Sequence, residues 1–105
     1  LNDPTFVEAS KVLGEQISRS ENSRAAIIDT YRKLTGRTPL PKEVDLLLTI
    51  QQVELKKFRE HPEKENGWLN TGQYKIDKKM DGALIAANTV VASTILNSDA
   101  SLTKR

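Results

Sequence analysis

The sequence predicts an all-α fold, a compact bundle of about four main helices. Apolar residues recur at steps of three and four along most of the chain, which is the period of an amphipathic helix. Residues that favour helix starts and helix ends bracket four of these stretches. The length of 105 residues and the 37% of hydrophobic side chains fit a single domain, residues 1–105, with one core.

The first helix is predicted to begin at Pro4. Asp3 can accept hydrogen bonds from the first free amides, and Pro at the first helical position has no amide to leave unpaired. The predicted apolar stripe consists of Phe6, Ala9, Val12, Leu13 and Ile17. The residues expected to face outward are Glu8, Lys11, Glu15 and Arg19. Gly14 costs about 1 kcal/mol relative to Ala inside a helix, so it indicates either a close neighbouring helix or a tolerated position.

The second helix is predicted to start at a cap formed by Asn22. Its apolar face carries Ile27, Ile28, Tyr31 and Leu34. Gly36 follows directly and is expected to end the helix in the left-handed conformation, while Lys33 in the last turn suits the negative end of the helix dipole. The link that follows, residues 37–41, contains two prolines and is predicted to be extended.

The third helix is predicted to begin at Pro41, with Glu43 in its first turn, and to end at His61-Pro62. Its inner face carries Val44, Leu47, Leu48, Leu55 and Phe58. Its solvated face carries Lys42, Asp45, Gln52, Lys56, Lys57, Arg59 and Glu60. A short extra helical turn is predicted near 62–69, placing Trp68 and Leu69 on the core.

The fourth helix is predicted to run from a cap at Asp77 to about Leu96. Two apolar stripes along it predict burial on more than one side, and its small residues would let a neighbouring backbone approach closely. A strand over residues 89–95 is the alternative, since that stretch is rich in β-branched residues, but the uninterrupted length favours helix. The uncharged run 82–98 is shorter than the roughly 20 apolar residues of a membrane span and contains several polar residues, so no span is expected.

The composition excludes several kinds of chemistry. With no cysteine and one histidine, His61, the chain offers no thiolate zinc site and no haem attachment motif. No phosphate-binding loop, dinucleotide fingerprint or nucleophile elbow is present. We therefore expect no catalytic, cofactor-binding or metal-binding residues in this chain.

Two places carry side chains that suit an anionic ligand or partner. Lys75, Lys78 and Lys79 form a basic cluster beside Tyr74, and Arg37 lies in the proline-rich link. The alternative for the cluster is an ordinary solvated surface. Nucleic acid is not expected, because the net charge is only +2 and the helix after the link opens with the acids Glu43 and Asp45.

Three blocks of the sequence resemble one family. They are Asn2-Asp3-Pro4 within residues 1–9, Gly36-Arg37-Thr38-Pro39 within residues 31–44, and the closing stretch 90–105. In order, these blocks are similar to the C-terminal end of the domain of unknown function number 1553, a planctomycete-type domain of large exported proteins. Leu40 departs from the Thr or Ser cap usual in that family, and Ser98 and Ser101 replace its usual apolar and aromatic residues.

The resemblance implies that the chain is excised from the C-terminal end of a larger exported or periplasmic protein. The start at Leu1, without Met or a signal peptide, agrees with excision. The expected function is a non-catalytic structural or interaction module; the alternative is a ligand- or substrate-binding element that completes a site with upstream residues. Expected partners are other domains of the parent chain, or a second copy through an apolar face exposed by excision. The resembled proteins often carry a c-type cytochrome module, and since this chain has no cysteine, any haem c would belong to that other module of the parent protein.

Overall fold

A computed structural model shows four helices and no strand among the residues it describes, which are 4–61 and 81–103, with side chains described for 8–61 and 81–97. The helices are α1, Pro4–Arg19; α2, Ser23–Thr35; α3, Pro41–Glu60; and α4, Gly82–Thr103. The all-α prediction is confirmed. The predicted cap at Asp3 and the predicted turn near 62–69 lie outside the described residues.

Both ends of α2 follow the predicted capping chemistry. The Asn22 side chain accepts a hydrogen bond from the amide of Ala25 at 3.0 Å, which satisfies one of the free amides of the first turn. Gly36 adopts φ 77°, and its amide donates to the Arg32 carbonyl at 2.9 Å. A left-handed residue at this point reverses the chain sharply, and glycine adopts that conformation without steric cost.

Helix α3 begins at Pro41 and ends before His61, as predicted. Leu40 occupies the cap position and has no polar side chain, so Glu43 makes the bond at this end by accepting from the Leu40 amide at 2.8 Å. At the other end the His61 amide donates to the Lys57 carbonyl at 2.9 Å. The start of α3 therefore depends on Glu43.

Helix α4 begins later and ends later than the sequence predicted. Its first residue is Gly82, and Asp81 supplies the cap by accepting from the amides of Ala83 at 3.1 Å and Leu84 at 3.4 Å. Asp77, the predicted cap, lies outside the described residues. Arg59 donates to the same Asp81 carboxylate at 2.8 Å, so the cap also ties α4 to the end of α3.

Helix α4 is the most enclosed helix of the described bundle, and it packs mainly on α1 and α3. The residues along it that are buried are Ala83, Ile85, Ala86, Ala87, Asn88, Thr89, Val91, Ala92 and Ile95. Burial on more than one side is thus confirmed, and the alternative strand over residues 89–95 is wrong. No described helix has the length and apolar character that crossing a membrane requires.

Two groups of apolar side chains form the described core. The larger joins all four helices and consists of Ile17, Ile27, Tyr31, Leu47, Val91 and Ile95. The smaller lies near the start of α4 and consists of Phe58, Ala83, Ala86 and Ala87. The larger group therefore receives a side chain from each of the four described helices.

The buried face of α1 differs from the sequence prediction. Lys11 and Glu15, expected to face outward, are buried, whereas Ala9, expected on the core, is exposed. The reason is a close approach at Gly14, where a Cβ atom would lie 2.7 Å from the backbone nitrogen of Thr89. Ser10 is also buried, so α1 presents small residues to α4 and is rotated away from the face that apolar periodicity alone selects.

Candidate functional site

Of the predicted contact residues, the structure describes Arg37. The others, Tyr74, Lys75, Lys78 and Lys79, lie outside the described residues. Arg37 is exposed in the link between α2 and α3, with its side chain directed at the first turn of α3. The candidate site is therefore the surroundings of Arg37.

The guanidinium of Arg37 is held by Glu43 through two parallel hydrogen bonds. Nη1 donates to Oε1 at 2.9 Å, and Nη2 donates to Oε2 at 2.9 Å. This bidentate geometry is the strongest arrangement that a guanidinium and a carboxylate form. Because Glu43 also accepts from the Leu40 amide, the pair fixes the link against the start of α3.

Tyr31 on α2 completes this cluster, which we call the link clamp: Tyr31, Arg37 and Glu43. The Tyr31 hydroxyl donates to Glu43 Oε2 at 2.7 Å and accepts from Arg37 Nη2. The guanidinium carbon lies 4.9 Å from the centre of the Tyr31 ring, within the range of a cation–π contact. The clamp joins the end of α2, the link and the start of α3.

The link clamp shifts the pKa of each of its members. Hydrogen bonds from Arg37, then from the Leu40 amide and Tyr31, lower the pKa of Glu43 to about 2. The hydrogen bonds to Glu43 raise the pKa of Arg37. Burial, followed by the bond to Glu43, raises the pKa of the Tyr31 hydroxyl. All three shifts favour the charge states that the clamp needs at neutral pH.

A groove of about 390 Å³ lies beside the clamp at the end of α2, and it is open to solvent. Its lining residues are Asp29, Arg32, Lys33, Gly36, Arg37 and Thr38. Two of its three cations are already paired: Lys33 with Asp29 at 3.0 Å, and Arg37 with Glu43. A ligand would therefore meet one unit of unbalanced positive charge, which is a weak attraction in water.

A second group of polar side chains lies inside the bundle, and we call it the interhelical network: Ser18, Ser23, Gln51 and Asn88. Gln51 donates to Asn88 Oδ1 at 2.7 Å and to Ser23 Oγ at 3.2 Å. Asn88 donates to Ser18 Oγ at 2.8 Å, and Ser18 in turn donates to the Gly14 carbonyl at 2.8 Å. The network therefore links one residue from each of the four helices.

Sequence reasoning missed this network, although a signal was present. Gln51 stands four residues after Leu47 and seven before Phe58, so it shares their inner face. Asn88 lies in the middle of the most enclosed helix. A polar residue on a buried face needs a hydrogen-bonding partner, and the sequence shows that need without showing which residues meet.

The buried charges of α1 are a further feature absent from the prediction. Lys11 is 0% exposed, and burial lowers the pKa of its ammonium group, an effect that the nearby Glu8 opposes. Glu15 is 4% exposed and pairs with Arg19 at 2.5 Å one turn later. These groups lie on a helix face that small residues bring close to its neighbours.

Within residues 8–61 and 81–97, no three metal-ligating side chains come together. His61 is at the end of α3, where its amide completes the helix. The sequence prediction placed it there.

Comparisons with known proteins give no relative for this helical bundle. No family model, no curated protein and no solved structure matches the chain.

Proposed function

We propose that this chain is a non-catalytic helical module that provides structure and a docking surface within a larger exported protein. The proposal rests on one observation: the clustered polar side chains bond to other groups of this same chain. Both polar clusters described above connect helices of this chain to one another. In the described part of the chain, no buried side-chain nitrogen or oxygen lacks a hydrogen-bond partner.

A binding or catalytic site is normally recognised by polar groups that converge on a cavity. In the link clamp the carboxylate of Glu43 accepts bonds from Arg37, Tyr31 and Leu40, so the fold itself occupies its lone pairs. The groove beside it is open and nearly balanced in charge. These features favour a structural role over a catalytic one.

The exported parent and its haem c module come from the resemblance of residues 1–9, 31–44 and 90–105. On this proposal the chain lies outside the cytoplasm, binds no cofactor itself and contacts other domains of the parent protein. The exposed apolar residues Leu46 and Val53, both on α3, support the docking part, because such contacts need apolar surface.

The test uses the parent protein with and without this chain. We expect lysine cross-linking followed by mass spectrometry to join this chain to other domains, and we expect those domains to melt several degrees lower when the chain is deleted. The reading frame upstream of Leu1 should encode a signal peptide. Absence of cross-links together with unchanged melting would contradict the proposal.

The alternative is a ligand-binding element in which the Arg37 groove completes a site with upstream residues. The cations Arg32, Lys33 and Arg37 on one groove support it. Titration of the parent protein with inorganic phosphate and with acetate, followed by NMR, tests this alternative. The ligand-binding alternative requires NMR chemical shifts of the Arg37 side chain that change saturably with anion concentration and no longer change in Arg32→Gln. The structural proposal requires that these chemical shifts do not saturate.

A further inference from the structure

Helix α3 carries apolar residues on two opposite faces. The inner face packs into the core through Val44, Leu47 and Phe58. Leu46 and Val53 are seven residues apart, so they lie within about 20° of each other on the far side of the helix. A helix at the surface of a lone domain needs one apolar face, and a second face indicates a second neighbour.

We call this second face the outer stripe: Leu46, Ile50 and Val53. Leu46 is 60% exposed and Val53 is 47% exposed, whereas Ile50 between them is half-buried because one side of it packs against the larger core group. Their spacing of four and three residues is the spacing of side chains that pack against another helix. None of the three belongs to the inner face that the sequence predicts for α3.

Lysines stand at both ends of the outer stripe. Lys42 lies one turn before Leu46, and Lys56 and Lys57 lie one turn after Val53; all three are exposed. Glu54 pairs with Lys57 at 3.1 Å and balances its charge, whereas Glu60 lies two turns beyond Val53, so Lys42 and Lys56 carry the positive charge at the two ends. The outer stripe is therefore about 10 Å long, with the cations Lys42 and Lys56 beyond its two ends.

We propose that the outer stripe docks an amphipathic helix with acidic residues at both ends of its apolar face. This inference rests on the proposed function, since it assigns that helix to another domain of the parent protein. Apolar contacts with Leu46 and Val53 would supply most of the affinity. The lysines at both ends would select an acidic partner and fix its register.

A second copy of this chain fits the stripe poorly. In an antiparallel pair, the register that sets Leu46 against Val53 also sets Lys42 against Lys57. The register that sets Lys42 against Glu60 moves Leu46 onto Lys56 and loses the apolar contact. Like charges facing each other at a contact are unfavourable, so the charge pattern favours a partner of opposite sign.

The experiment uses two synthetic helical peptides of about 18 residues with the same leucines at spacings of four and three. One peptide carries glutamates at both ends, and the other carries lysines at the same positions. We expect fluorescence anisotropy at low salt to show the acidic peptide binding to the whole chain at least tenfold more tightly. Lys42→Glu with Lys56→Glu should reverse the preference.

Leu40 provides a matched control for the apolar contacts of the outer stripe. Leu46→Ser with Val53→Ser should weaken binding of the acidic peptide at least tenfold, whereas Leu40→Ser should leave it unchanged, because Leu40 is 62% exposed but lies off the stripe. Circular dichroism confirms that each variant folds. Equal affinity for the two peptides, or equal loss in the Leu40 variant, would overturn the inference.

Two further results separate this inference from the proposed function. If sedimentation reveals dimers that Leu46→Ser abolishes, the stripe serves a second copy of the chain, and the acidic partner is wrong. Cross-links in the parent protein that avoid Lys42, Lys56 and Lys57 but join other lysines would overturn the stripe and keep the structural module. Absence of any cross-link together with unchanged melting of the parent protein contradicts both.

Discussion

Gly14 is the residue at which α1 and α4 make their backbone contact. A Cβ atom at Gly14 would lie 2.5 Å from Thr89 Oγ1, 2.7 Å from its nitrogen and 2.9 Å from its Cα. Two of these three atoms are backbone, so a side-chain rotation cannot relieve the overlap. The absence of a side chain at Gly14 therefore allows the backbones of α1 and α4 to approach this closely.

Gly14→Ala should destabilise the chain by about 1–3 kcal/mol, because α4 must shift to admit the methyl group. Helix propensity alone predicts the opposite sign, a gain of about 1 kcal/mol. Urea unfolding of the variant and of Gln16→Ala, an exposed change on the same helix, measures the difference. A more stable Gly14 variant would show that α1 and α4 do not touch there.

Glu43 makes stability depend on pH. Its pKa in the folded chain is about 2, below its ordinary value of 4.5, so its contribution is complete above about pH 4.5 and is lost as the pH falls towards 2. Glu43→Gln should lower the free energy of unfolding at pH 7, because it removes the charge that Arg37 pairs with. The loss should be only roughly 1 kcal/mol, since solvent screens this partly exposed pair.

The check is acid unfolding of Glu43→Gln between pH 5 and 2, followed by circular dichroism. The variant should lose less stability over this range than the natural chain. Asp29→Asn removes an exposed pair on α2 and serves as the control. Parallel curves for the natural chain and the Glu43 variant would refute the role of the clamp.

The interhelical network fixes how the helices align against one another. Gln51 and Asn88 are buried at 2% and 0% exposure and bond at 2.7 Å. A buried amide that loses its partner carries the full cost of its desolvation. Such a pair therefore penalises any alternative register of α3 against α4.

Gln51→Leu and Asn88→Leu should each destabilise the chain by about 1–3 kcal/mol, since each deprives the other buried amide of its 2.7 Å hydrogen bond. The double variant should cost less than the sum, by about 0.5–3 kcal/mol, because neither amide remains. A double-mutant cycle in urea measures this coupling. Additive losses would mean that the two side chains do not interact in solution.

Local chemistry made α2 and α3 predictable. Asn22, Gly36 and Pro41 act on amides within a few residues, so their effect can be read from the sequence. The start of α4 was missed because Asp77 and Asp81 are both suitable caps, and the choice depends on packing. The buried face of α1 was missed because apolar periodicity gives no weight to Ser10 and Gly14, whose small size draws α4 close.

The candidate site was less predictable than the fold. Arg37 was identified as a possible ligand contact, and its bidentate partner Glu43 stands six residues away across a turn whose geometry the sequence leaves open. The partners in the interhelical network are separated by up to 70 residues. Sequence patterns indicate which faces are buried, whereas three-dimensional packing decides which polar groups meet.

In the described molecule as a whole, α4 is the helix around which the others pack. Ile85→Ala should destabilise the chain by about 2–4 kcal/mol, because Ile85 is fully buried and truncation leaves a cavity. Leu46→Ala, a comparable truncation on the exposed outer stripe, should change stability by less than about 0.5 kcal/mol. Thermal unfolding of both variants checks the contrast, and equal losses would contradict the arrangement of the bundle.

Native-state hydrogen exchange tests most directly whether α4 is the enclosed centre to which the other helices are bonded. The amides of residues 85–95 should exchange slowest in the chain, with an opening free energy equal to that of global unfolding. The amides of residues 37 and 38 in the exposed link should exchange much faster. Exchange in α4 as fast as in the link would contradict the arrangement on which the proposed structural role depends.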